Sequence, residues 1–185
     1  MMRKTAQKTN TGLLLAFALL GAMAIPAAAQ EAPANAEEGC SGFGWPMATE
    51  IGWMSAQDLE TFDSGAKIPA PPAKAIGVKL KSSKDITLPV KSGMKKQAIG
   101  PASFSGWIEI ASLPKAGLYQ ISLSHEGWID AVQNGEPVPS HGFTGKKGCK
   151  AVHKSVRYEL GAGPLTVQIG GAATETVTLA IRGLD

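Results

Sequence analysis

Histidine and cysteine are scarce in this chain, three of the first and two of the second among 185 residues, and that scarcity excludes much chemistry. A metal centre has only His125, His141 and His153 to draw on, with Glu126 beside the first. The His-x-His pair of cupin dioxygenases is missing, and so is His-Glu-x-x-His. Neither a Gly-x-Ser-x-Gly elbow, a phosphate loop nor a Cys-x-x-Cys pair occurs, which removes the usual signatures of acyl transfer, nucleotide hydrolysis and dithiol redox work. Gly42-x-Gly44 lacks the third glycine and the preceding strand of a dinucleotide fingerprint. There is no internal repeat. The apolar run at 13–25 is 13 residues long, short of the roughly 20 that a membrane-spanning helix needs.

What is present begins with an export signature. Arg3, Lys4 and Lys8 precede that apolar run, which leads into Ala27-Ala28-Ala29, so residues 1–29 read as a signal peptide cleaved after Ala29. Three of the 18 basic residues and none of the 15 acidic ones would leave with it, so the remaining chain balances at 15 against 15. The expectation is a periplasmic or secreted protein with no transmembrane segment after cleavage and no nucleic-acid partner. Charge is uneven along the chain: seven acidic residues from Glu31 to Asp63 come before any mature Lys or Arg, and eight lysines follow between Lys67 and Lys96. Export also places Cys40 and Cys149 where a disulfide persists, and the even count favours one bridge between them. It would tie the N-terminal arm to the loop around residue 149.

After an acidic, loose tail, residues 46–54 suit a short helix with Pro46 in its first turn. Ser55-x-x-Asp58 has the form of a capping box, which predicts a second helix to about Phe62. Phe43, Trp45, Trp53 and Met54 form a dense cluster, read either as a ligand platform or as a secondary core. The stretch 63–74, with Pro69, Pro71 and Pro72, reads as a linker that starts no regular element. Beyond it the apolar period is two. Ile76, Val78 and Leu80 alternate with polar residues, and Ile86, Leu88 and Val90 resume the alternation, which predicts a hairpin. Residues 102–138 predict a three-stranded antiparallel meander: Phe104, Ile108 and Ile110 share a face, then Tyr119, Ile121 and Leu123, then the run from Trp128 to the Asn134-Gly135 turn. Residues 136–150 read as a long irregular loop. Three more strands put Val156, Tyr158 and Leu160, then Leu165, Val167 and Ile169, then Val177, Leu179 and Ile181 inward, with Gly170-Gly171 as a turn. The sum is a mostly β fold: an antiparallel two-sheet sandwich of about eight strands over 75–185, preceded by an arm and linker at 30–74 with short helices.

The succession Ser-Gly-Trp-Ile-Glu-Ile (105–110), Leu-Pro-Lys-Ala-Gly-Leu-Tyr-Gln-Ile-Ser-Leu (113–123), Gly-Trp-Ile-Asp-Ala-Val-Gln-Asn-Gly-Glu-Pro-Val (127–138) and Arg-Tyr-Glu-Leu-Gly-Ala-Gly-Pro-Leu-Thr-Val-Gln-Ile (157–169) resembles the protective-antigen-type β-sandwich and related jelly-roll carbohydrate-binding modules. The resemblance implies a non-enzymatic ligand-binding module, with a glycan or an envelope component as partner. Sugar-binding members hold calcium through adjacent aspartates; no Asp-Asp pair exists here, so calcium dependence does not carry over. The chain as a whole is similar to small exported proteins of alphaproteobacteria, some labelled as aromatic-ring dioxygenases of homogentisate type. That label implies an alternative in which His125, His141 and His153 converge on Fe or Zn.

Two further readings remain open. In the first, Trp107, Trp128, Asp130, His141 and Phe143 line a ligand surface beside the 134–150 loop, where Lys146, Lys147 and Lys150 add basic character suited to an anionic glycan. No catalytic residue is singled out, and no cofactor is expected outside the metal alternative. In the second, Trp128 packs under the loop, Asp130 caps a turn and the lysines are simply solvated. A structural subunit of an envelope complex is the third function class.

Overall fold

The computed structural model describes residues 38–94 and 102–184. The expected signal peptide, the tail up to residue 37 and the middle of the basic connection at 95–101 lie outside the described residues. One helix and twelve strands follow in order: α1 (Ala48–Met54), β1 (Thr61–Asp63), β2 (Lys67–Ile68), β3 (Ile76–Lys79), β4 (Lys81–Ser82), β5 (Phe104–Leu113), β6 (Gly117–Leu123), β7 (Trp128–Gln133), β8 (Glu136–Pro137), β9 (Ser140–Gly145), β10 (Lys154–Leu160), β11 (Gly163–Ala172) and β12 (Thr176–Gly183). They form two sheets, one ordered β1-β3-β12-β6-β10-β9 and the other β2-β5-β11-β7-β8, with β4 also pairing β5.

The alternation read from the sequence fixes which side chains meet between the sheets. Ile108, Ile110, Ile121, Leu123, Val156, Tyr158, Leu160, Leu165, Val167, Ile169, Val177, Leu179 and Ile181 are all buried in one cluster. Burial of each large aliphatic side chain contributes about 1.5–3 kcal/mol.

The pairing differs from the expected meander. β5 and β7 lie in one sheet, both bonded to β11, while β6 lies in the other between β10 and β12. Successive strands therefore cross the sandwich instead of pairing side by side. Period-two alternation is the same in both arrangements, because it records which face is apolar and not which neighbour supplies the hydrogen bonds.

The sheets are also mixed, not purely antiparallel: β1 pairs β3 in parallel and β2 pairs β5 in parallel. A parallel pair needs a long crossover. The proline-containing stretch 64–75 supplies it, placing β1 in one sheet and β2 in the other, so this linker does carry a regular element and the arm contributes strands to both sheets.

Other corrections have local causes. The capping box at Ser55 starts no second helix, because the Ser55 hydroxyl donates to Ile51 O at 2.6 Å and so finishes α1. The loop at 136–150 contains β8 and β9. The predicted turn at Gly170-Gly171 is a bulge inside β11, where the register shifts between Ile169 and Ala172 and Gly171 takes φ +66°. The Asn134-Gly135 turn is as expected, with φ +55° and +79° and Gln133 facing Glu136.

Residues 86–90 form no strand. They begin a strap, 86–94, over the outer face of the second sheet, where the buried Gln168 side chain accepts from Val90 N at 2.7 Å and donates to Val90 O at 3.1 Å. One amide side chain thus does for Val90 what a neighbouring strand would do.

The arm covers the outer face of the other sheet. Met47, Ile51 and Met54 are buried with Ala151, Val152 and Ala180, and Phe43, Trp45 and Trp53 pack around them, so the aromatic cluster is a secondary core. Glu50, fully buried, accepts from Gln120 Nε2 (2.7 Å) and Arg182 Nε (2.5 Å). Arg157 donates to Gln120 Oε1 at 3.0 Å and lies 4.2 Å from the Trp45 ring centroid. The Cys40–Cys149 disulfide closes the arm onto the 146–150 turn. The two backbones approach closely: an ideal Cβ on Gly39, which has φ +74°, would lie 2.2 Å from Gly148 O.

Candidate ligand cleft

At one end of the sandwich β5, β7 and β10 begin and β6, β9 and β11 finish. Between them opens a cleft of about 720 Å³, lined by Met94, Glu126, Trp128, Phe143, Lys146, Lys147, His153, Lys154 and the glycines and alanines of 170–173. Small residues at the end of β11 leave the space; larger side chains from the neighbouring strands wall it.

Trp128 is the first residue of β7 and has the opposite parity to the buried Ile129, so its indole stands on the outer side of the sheet. Its Nε1 donates to Asp130 Oδ1 at 2.8 Å. Asp130 also receives Ser92 Oγ on Oδ2 at 2.6 Å and Gly93 N on Oδ1 at 3.3 Å. The carboxylate therefore fixes the indole and caps the end of the strap together.

Phe143 pairs with Val156 and shares its face, yet β9 is the edge strand and overhangs the core. The ring is 72% exposed, and among the described residues it is the large apolar side chain left open. Lys154 has the parity of Val156, Tyr158 and Leu160 but sits at the mouth of the sandwich. Its ammonium lies 4.9 Å from the Trp128 ring centroid and 5.4 Å from that of Phe143. Attraction to each ring face favours the cation by about 0.5–2 kcal/mol. Burial nevertheless pushes the Lys154 pKa below its ordinary value, and the nearby Asp130 charge only partly opposes that shift. His153 is also held below its usual pKa, chiefly by burial, with Glu126 acting in the other direction. At neutral pH its imidazole is accordingly uncharged and offers one donor and one acceptor.

Of the residues expected to form a ligand surface, Trp128 and Phe143 line this cleft, and Asp130 holds the Trp128 indole without lining it. Trp107 is on the same outer face, but it pairs with Gln168, and Asp130 pairs with Gln168 from the other side. Two strand spacings, about 10 Å, separate them, and Trp107 lies against Gly65 instead. His141 occupies the bulge of β9 between Ser140 and Gly142. It is four residues, about 13 Å along a strand, from Gly145 beside His153. Among the described residues no group of three or more His, Cys, Asp or Glu could hold a metal ion.

Lys154 was not singled out in the sequence. The signal was its parity with the inward residues of β10; a charged residue continuing an apolar series marks the place where a strand leaves the core.

No family model, no curated protein and no solved structure matches this chain.

Proposed function

We propose that this chain is an exported, non-enzymatic binding module that receives a carbohydrate in the cleft at the strand ends. The observation that carries the reading is the juxtaposition of Trp128, Phe143 and Lys154 at the mouth of a 720 Å³ cavity. The size falls within the range of small-molecule sites, and flat apolar walls with a few polar groups at the rim suit a saccharide ring. Glu126 and His153 at the cleft supply acceptors and a donor for hydroxyl groups. Export is supported by the disulfide, which persists in an oxidising compartment. It is also compatible with the absence, among the described residues, of any helix long and apolar enough to cross a membrane.

Saturation-transfer NMR on the purified oxidised protein with a panel of periplasmic and cell-surface oligosaccharides tests the proposal. Expected are ring-proton contacts that disappear in Phe143→Ala and shift Trp128 fluorescence. A panel without a binder, or binding indifferent to Phe143→Ala and Trp128→Ala in folded variants, would remove it.

The exposed Phe143 on an edge strand supports a second reading, contact with an envelope protein. Cross-linking from position 143 in cell envelopes separates the two, since a glycan site leaves no protein adduct.

A further inference from the structure

We infer that the saccharide taken by this cleft is acidic, and that Lys154 receives its anionic group. The inference rests on the binding reading above and adds the ligand's charge.

The charged side chains of the lining are three lysines, Lys146, Lys147 and Lys154, against Glu126 alone. The Asp130 charge acts on Lys154 through space without a direct ion pair, while its oxygens accept from the Trp128 indole, the Ser92 hydroxyl and the Gly93 amide. Lys154 is accordingly paired with no carboxylate among the described residues; two aromatic rings are its neighbours. A ring face is a weaker partner for an ammonium than an anion, so the site holds a half-buried positive charge that is incompletely compensated. An anion entering the cleft completes the compensation, and in a site of reduced water access a charge-assisted bond is stronger than at an open surface.

The ligand's shape follows from the same residues. Phe143 has one contact with the ammonium and most of its surface open, so a sugar ring stacked on it brings a ring substituent over Lys154. Lys146 and Lys147 stand on the turn that the disulfide fastens to the arm. They are placed for a second anionic residue of an oligomer. A carboxylate and a sulfate ester share this chemistry, and the test separates them.

The test measures calorimetric affinities of the oxidised protein for oligogalacturonate, for its methyl ester and for a sulfated galactan oligosaccharide. Lys154→Gln, Lys154→Arg and Phe143→Ala are compared, each shown folded by thermal melting. Expected is uronate or sulfate binding at least about tenfold tighter than the methyl ester. Lys154→Gln should abolish that preference, Lys154→Arg should restore most of it, and the preference should shrink as salt rises. Tighter sulfate than uronate binding assigns the anion as sulfate; the reverse assigns a carboxylate. If the ester binds as tightly as the uronate, or Lys154→Gln affects both alike, the inference falls and the carbohydrate reading stands. If none of the three binds, and no neutral oligosaccharide does, both fall.

Discussion

Glu50 Oε1 lies 2.5 Å from Arg182 Nε, joining the helix of the N-terminal arm to the last strand across 132 positions of sequence. Gln120 adds a second donor to the same oxygen, and the guanidinium of Arg157 carries the network on to Trp45. Glu50 is fully buried, whereas the Arg182 side chain keeps 28% of its surface.

Removing the acid leaves a cation and an amide facing the arm without their acceptor. Glu50→Ala should therefore destabilise the protein by about 2–3 kcal/mol, less than a wholly buried pair because Arg182 retains some water. Glu50→Gln, which keeps an acceptor for Gln120, should cost less. Urea unfolding of the three proteins checks the order; equal midpoints would mean that the network adds nothing net.

The disulfide closes a loop with a sequence separation of 109. In the chain-entropy view its loss lowers stability by roughly 4–5 kcal/mol. Cys40→Ser combined with Cys149→Ser should move the urea midpoint accordingly, and reductant should shift the parent protein to the same value without moving the variant. An unchanged midpoint in the double variant would contradict this.

Gln168 holds the strap through two hydrogen bonds to Val90. Gln168→Ala should cost about 2 kcal/mol. It should also raise amide hydrogen exchange at Val90 and its neighbours well beyond the rise elsewhere. Uniform exchange across β11 and the strap would show that the strap is held by other contacts.

Tyr158 donates to Ile129 O at 2.7 Å, across the sandwich. Burial first, and the Asp130 charge second, push its pKa above the ordinary phenol value of 10.0. The unfolded chain thus releases this proton at a pH where the folded chain keeps it. The contribution is complete below about pH 10 and is lost as pH rises beyond it. Tyr158→Phe should be less stable near neutrality by about 1–2 kcal/mol for the lost bond. Its stability should fall less steeply above about pH 10, by one proton's worth of slope. Denaturant titrations at neutral and alkaline pH read both effects, and parallel alkaline slopes would contradict the assignment.

The candidate site was half legible before the fold was known. Trp128, Asp130 and Phe143 stand out as aromatics and a carboxylate around one loop; Trp128 and Phe143 line one cleft, and Asp130 bonds the Trp128 indole. Trp107 has the same appearance and does not join them, because β11 lies between its strand and that of Asp130. The three histidines are near one another in sequence, yet the length of β9 separates His141 from His153. Lys154 belongs to no motif in the sequence, since only the overhang of β9 and the cleft beside β11 give it two rings for neighbours.

The amino-acid sequence by itself determined a two-layer β protein, the inward residue of nearly every long strand, the disulfide partners and the Asn134-Gly135 turn. Each of these follows from local chemistry: alternation along a strand, a cysteine pair without competitors, backbone angles that two particular residues tolerate. Only the tertiary structure decided that β5, β6 and β7 cross between sheets, that β1 pairs β3 and β2 pairs β5 in parallel, that residues 86–94 become a strap and that Lys154 stands at a cleft. Those outcomes depend on which strand edges meet across the molecule, and alternation of side chains is identical for every pairing that buries the same face.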